Sequence, residues 1–192
     1  MTQPLAITVA ATAWPPPDSL GRRLGETVPR SPLRQRTRAL GLREGSDLLA
    51  LAVQRGCRHY AGVIAGRAVH DPGREVLSDE ELAVLLLHGA NAFEPFLIRA
   101  AAELLRCRPM KVADLAEAAK RERCARVLAY IAEAGVHHDA TGTAFWSALL
   151  SALGPQRMIA PGVLPHWSRF AALQGVGRDG NSRGTRWIGA AA

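Results

Sequence analysis

The chain has 192 residues, 48% of them hydrophobic and only 5% aromatic, with a formal net charge of +7 and a pI near 10.3. A chain of this length buries a core without metal or disulfide staples. Its longest strongly apolar run, residues 82–87, falls far short of the roughly 20 residues a transmembrane helix needs, which argues against a helical membrane span.

Residues 1–43 read as a Pro/Arg-rich N-terminal arm. The opening MTQPLAITVAATAW has no Lys or Arg before its apolar stretch and is broken by threonines, so it does not have the layout of a secretory signal. Residues 8–14 fit a lone edge strand or irregular chain, and Pro15, Pro16 and Pro17 set up an extended connection. From Arg22 to Arg43 the breakers Gly25, Pro29, Pro32 and Gly41 argue against a long basic helix and for an exposed loop with at most a turn of helix.

A helical domain is expected over residues 44–173, all-α or predominantly α, as a compact bundle of about six short helices. Ser46 is placed to cap a helix over 47–55, apolar nearly all round and therefore buried, with Gly56 ending it. A weak helix is expected over 60–69, interrupted by Gly62 and Gly66. Ser78-Asp79-Glu80-Glu81 spells a capping box for a helix to His88. Pro95, tolerated in a first turn, opens a helix to 106 whose inward stripe is Leu97, Ala101, Leu104 and Leu105, and Pro109 breaks it.

Over residues 112–134 the apolar positions recur at helical spacing on both sides of Lys120-Arg121-Glu122-Arg123, with Gly135 as the expected stop. The spacing fits two helices joined by a turn or one bent helix. A last clear helix runs from 144 to 153, before Gly154-Pro155, and a short one is expected over 166–173. The predicted core is Leu49, Leu85, Leu97, Leu104, Leu115, Val127, Leu128 and Ile131. Residues 174–192 form a Gly/Arg-rich tail with a candidate small hairpin around Asp179-Gly180.

Charge is unevenly spread. Nine arginines face four acids in residues 1–60, nine basic residues face twelve acids in 71–140, and five arginines face one aspartate in 141–192. Two basic flanks thus bracket a mildly acidic middle, a distribution that favours an acidic partner such as nucleic acid.

Within that middle, a short helix, a charged turn and a second helix echo a winged helix-turn-helix, whose second helix enters the major groove. Lys120, Arg121, Arg123 and Arg126 fall where phosphate and base contacts would be made. The turn is shorter than such motifs use, and Glu122 is an unfavourable neighbour for phosphate. In the tail, Arg178, Arg183, Arg186 and Trp187 form a basic segment with an aromatic for stacking.

Other chemistry finds little support. Gly175, Gly177 and Gly180 satisfy G-x-G-x-x-G, but no strand precedes them and no helix follows, so no dinucleotide cofactor is expected. Cys57-Arg58-His59 and His137-His138-Asp139 lack the paired spacing of a zinc site, so no metal is expected. No serine or cysteine sits in a nucleophile motif, and no catalytic residue is assigned. Cys57, Cys107 and Cys124, odd in number and widely spaced, read as buried thiols in a reducing, cytoplasmic setting. Two functional readings follow: a non-enzymatic nucleic-acid-binding protein working through the basic turn and flanks, or a helical protein-interaction or scaffold module.

Overall fold

The computed structural model describes residues 31–57, 60, 62, 64, 67–160 and 162–164. Among them the architecture is all-α, with seven α-helices, one 3-10 turn and no strand. In chain order these are α1 (Pro32–Ala39), α2 (Gly45–Gln54), α3 (Asp79–Leu87), a 3-10 turn (Gly89–Phe93), α4 (Pro95–Cys107), α5 (Val112–Arg121), α6 (Ala125–His138) and α7 (Thr143–Leu153). The expected strand at 8–14, the helix at 166–173 and the tail hairpin lie outside the described residues, as does part of 60–69.

The hub is α3. It packs against α1, α2, α4, α5 and α6, and its six residues Leu82–Leu87 are each no more than 2% exposed. A helix buried on every face must be apolar on every face. Each leucine removed from water contributes about 1.5–3 kcal/mol. The capping box is formed: the Ser78 hydroxyl accepts the Glu81 N–H at 3.1 Å and the Glu81 carboxylate accepts the Ser78 N–H at 3.2 Å.

Arg55, at the C-cap of α2, is buried with its side chain 1% exposed. Its guanidinium donates to both carboxylate oxygens of Asp71, at 2.6 and 3.1 Å, to Asp79 at 3.0 Å and to the Leu77 carbonyl at 2.7 Å. Arg74 holds the second Asp79 oxygen at 2.9 Å, and Arg108 donates to the Arg55 carbonyl at 2.5 Å. The first residue of α3 is thereby tied to the ends of α2 and α4. The Arg55 hydrogen bond holds the Asp71 carboxyl below its ordinary pKa.

Two boundaries differ from the sequence reading. The α2 helix starts at Gly45 with Glu44 as N-cap, because the Asp47 carboxylate accepts the N–H groups of Arg43 and Glu44, each at 2.9 Å, and turns the chain before Ser46. The stretch read as an exposed arm contributes α1, and the compact unit begins at Pro32. Pro32 occupies the first helical position, where its missing N–H costs nothing, and Leu33, Thr37 and Leu42 are buried.

The expected core residues Leu49, Leu85, Leu97, Leu104, Leu115, Leu128 and Ile131 are buried, and Val127 is half-buried against them. Residues 112–134 resolve into two helices. Gly135 does not stop α6, which continues to His138. Its role is steric: a Cβ built there would run into the indole of Trp146, which α7 lays against α6. The buried indole N–H donates to Asp139 at 2.9 Å, so position and orientation of the ring are both fixed.

Gly135→Ala is therefore expected to destabilise. Alanine's better helix propensity, about 1 kcal/mol, opposes an overpacking cost of about 1–3 kcal/mol, and the locked ring lets the second dominate. Urea denaturation should show a lowered midpoint at unchanged slope; a raised midpoint would refute the steric account.

Candidate nucleic-acid interface

The turn between α5 and α6 is residues 122–124, closed by Arg123 N–H to the Lys120 carbonyl at 3.2 Å and Cys124 N–H to the Ala119 carbonyl at 2.9 Å. This is the Schellman arrangement, whose pivot residue takes a left-handed conformation. The α2 helix ends in the same way, with Cys57 N–H to Ala52 and Gly56 N–H to Val53, and its pivot is Gly56 at φ 118°. In the α5–α6 turn the pivot is Arg123 at φ 60°, the one positive-φ residue other than glycine among those described. A side chain in that conformation costs about 1–2 kcal/mol.

The four basic residues expected at the turn are all solvent-facing, but they are not equivalent. Lys120 donates to the Ala152 carbonyl at 2.7 Å, satisfying a group the last turn of α7 leaves unpaired. Arg126 donates to the carbonyls of Arg157 and Met158, each at 3.0 Å, and so anchors the chain beyond α7. Arg121 lies 3.9 Å from the Glu122 carboxylate and borders a groove of about 340 Å³ that also has Arg36, Arg74, Glu80, Glu81, Asp114 and Glu117 on its walls. Arg123 makes no side-chain hydrogen bond or ion pair among the described residues. Arg178, Arg183, Arg186 and Trp187 lie outside the described residues.

Glu122, the acid that counted against phosphate contact, faces inward. Its side chain is 1% exposed. One carboxylate oxygen accepts the Leu33 N–H at 3.4 Å, in the first turn of α1, and the other lies 3.8 Å from His88 Nε2. An acid at a helix N-terminus is favourable. The contact also carries the described part of the arginine-rich N-terminal flank, α1, to the basic turn. Sequence reasoning missed it because the two residues are 89 positions apart.

Burial lowers the His88 pKa from 6.5, against the opposing pull of Glu122 and with a smaller push from Arg34. The metal-ligand candidate Asp139 is spent on structure: besides Trp146 it accepts the Thr141 hydroxyl at 3.0 Å and lies 3.4 Å from Arg106. His59 lies outside the described residues. Among the described residues no cluster of three or more His, Cys, Asp or Glu is arranged to hold a metal ion, and no helix is long and apolar enough to cross a membrane.

Comparison with protein-family models, curated proteins and solved structures found no match.

Two outcomes are expected. Arg123→Gly relieves the strained pivot and should raise stability by about 0.5–1 kcal/mol, the glycine entropy offsetting part of the gain; calorimetry decides the sign. His88 binds its proton more readily unfolded than folded, so its contribution is complete above its ordinary pKa of about 6.5 and is lost as pH falls from there through the lower folded value. The thermal midpoint should fall between about pH 7 and about pH 5, and His88→Gln should flatten that slope.

Proposed function

We propose that the protein is a non-enzymatic nucleic-acid-binding protein that grips phosphates through the α5–α6 turn. The observation that carries this reading is Arg123. A glycine would close the turn without strain, as Gly56 does at α2; an arginine there holds a guanidinium on the outside of the turn at a cost in stability. Strained residues cluster where a surface is used. Two further features support it. Glu122 is withdrawn into the interior, leaving the outer face of the turn to Lys120, Arg121, Arg123 and Arg126, and the first turn of α1, which carries Arg34, meets Glu122 through Leu33. Arg178, Arg183, Arg186 and Trp187 would extend the grip by phosphate contact and stacking. The three free thiols fit a reducing, cytoplasmic setting.

A second reading, a helical protein-interaction or scaffold module, rests on a different face. Phe93 and Phe96 are about half exposed, at 53% and 48%. Phe96 helps line a shallow cleft of about 330 Å³ with Gly45, Leu49 and Leu97. Exposed aromatics beside an apolar cleft are typical of protein contact surfaces.

Binding to mixed-sequence duplex DNA and to single-stranded RNA, measured from low to moderate salt, separates the two. The nucleic-acid reading expects affinity to fall linearly on a log-log salt plot, and Arg121→Ala with Arg123→Ala to reduce the slope by about one per lost phosphate contact. Arg123→Gly should bind more weakly although it folds more stably. Absence of binding at low salt would remove this reading and leave the interaction module.

A further inference from the structure

Glu122 and His88 meet where three elements converge: the first turn of α1, the C-cap of α3 and the α5–α6 turn. The His88 side chain is 21% exposed, so protons reach it, and its Nε2 stops 3.8 Å from Glu122 Oε2, too far for a hydrogen bond. His88 Nδ1 and Glu122 Oε2 are buried with no hydrogen-bond partner among the described residues. The other Glu122 oxygen holds the Leu33 N–H and lies 3.9 Å from Arg121. Beside the ring is a cavity of about 10 Å³, with room for one water at most. Arg34 of α1, Arg43 and Glu44 at the start of α2, and Asn91 of the 3-10 turn line it together with His88. Glu44 accepts from Arg67 at 3.2 Å, and the Asn91 amide donates to the Leu85 carbonyl at 2.9 Å. We propose that His88 is a proton-operated latch on α1: neutral, it lets α1 dock against the α5–α6 turn, and protonated, it releases α1.

A proton taken from solvent makes both imidazole nitrogens donors and the ring a cation. Among the described residues the closed packing offers Nε2 only Glu122 and gives Nδ1 no acceptor. Arg34 and Arg43 set like charge around the same cavity. Closing the 3.8 Å gap shifts the carboxylate that holds the Leu33 N–H at 3.4 Å. Either response, Glu122 drawn toward His88 or Arg34 pushed from it, acts on the first turn of α1. That helix is well placed to yield. It has eight residues, opens its compact unit at Pro32 and packs on α3, with Leu33 and Thr37 buried and Arg36 paired to Glu81 at the surface. Elements with few buried apolar contacts open locally while the rest stays folded.

The ionisation has the sign this requires. Burial lowers the His88 pKa against the pull of Glu122, and Arg34 adds to the lowering. With α1 released the ring is hydrated and returns toward its ordinary value of 6.5. The proton therefore binds the released form more tightly, and acidification favours release by the same differential. The docked form holds above about pH 6.5 and gives way as pH falls below it. Between about pH 7.5 and about pH 5.5 the open population of α1 can rise up to about tenfold, the limit one proton sets over that interval. The latch acts on α1 whether or not the turn binds nucleic acid.

Hydrogen–deuterium exchange of the full chain, read by mass spectrometry at about pH 7.5 and about pH 5.5 and corrected for the intrinsic pH dependence of amide exchange, tests the latch. Peptides covering α1 should lose protection by a factor of about three to ten on acidification, while those of α3 and α6 keep theirs. His88→Gln, neutral at both pH values, should remove the loss. If that variant does not fold, the wild-type protein decides, because the midpoint of the α1 change must coincide with the His88 ring titration followed by NMR. The proposal is overturned if α1 protection is the same at both pH values, if α3 and α6 lose protection equally, if the two midpoints differ, or if the loss persists in His88→Gln.

Discussion

A guanidinium withdrawn from water must be surrounded by acceptors, and Arg55 imposes that demand on the whole bundle. Leaving such a charge without its partners costs about 3–5 kcal/mol, so the segment between α2 and α3 has to deliver Asp71, the Leu77 carbonyl and Asp79 to one place. Asp79 is the first residue of α3, and α3 is what every other α-helix except α7 packs on. The apolar core supplies most of the favourable energy, but nondirectional burial does not say where a helix begins. The buried ion pairs do. Arg108, bonded to the Arg55 carbonyl, extends the same joint to α4.

Much of this fold was legible locally. Ser78 with Glu81, Pro95, Gly56 and Gly154 mark helix ends through backbone chemistry that needs no tertiary information, and the stripe Leu97, Ala101, Leu104 and Leu105 follows from helical periodicity alone. Three features escaped for identifiable reasons. The α1 helix presents few apolar side chains and sits among prolines and glycines, so its burial depends on α3, which sequence cannot place beside it. Residues 82–87 are apolar on every side, so they carry no amphipathic signal that would mark α3 as the hub. Gly135 was read as a terminator, because glycine signals both helix ends and close packing and only Trp146 distinguishes them.

The candidate site was legible in outline and not in its chemistry. The charged turn was visible, but its cations divide into Lys120 and Arg126, which hold backbone carbonyls near the end of α7, and Arg121 and Arg123, which face outward. The acid between them turns inward to α1 and His88. Those distinctions come from contacts across tens of residues, as does the Arg55 network. Long-range polar pairing leaves no periodicity to read.

The α7 helix finds its principal partners in α5 and α6, its two predecessors in the chain. That stretch therefore closes its own contacts over a short length of polypeptide, and the entropic penalty for bringing its ends together grows only slowly with such lengths. Predominantly local contacts are the property associated with fast assembly. The basic turn sits inside this locally closed stretch, which α5 also ties to α3.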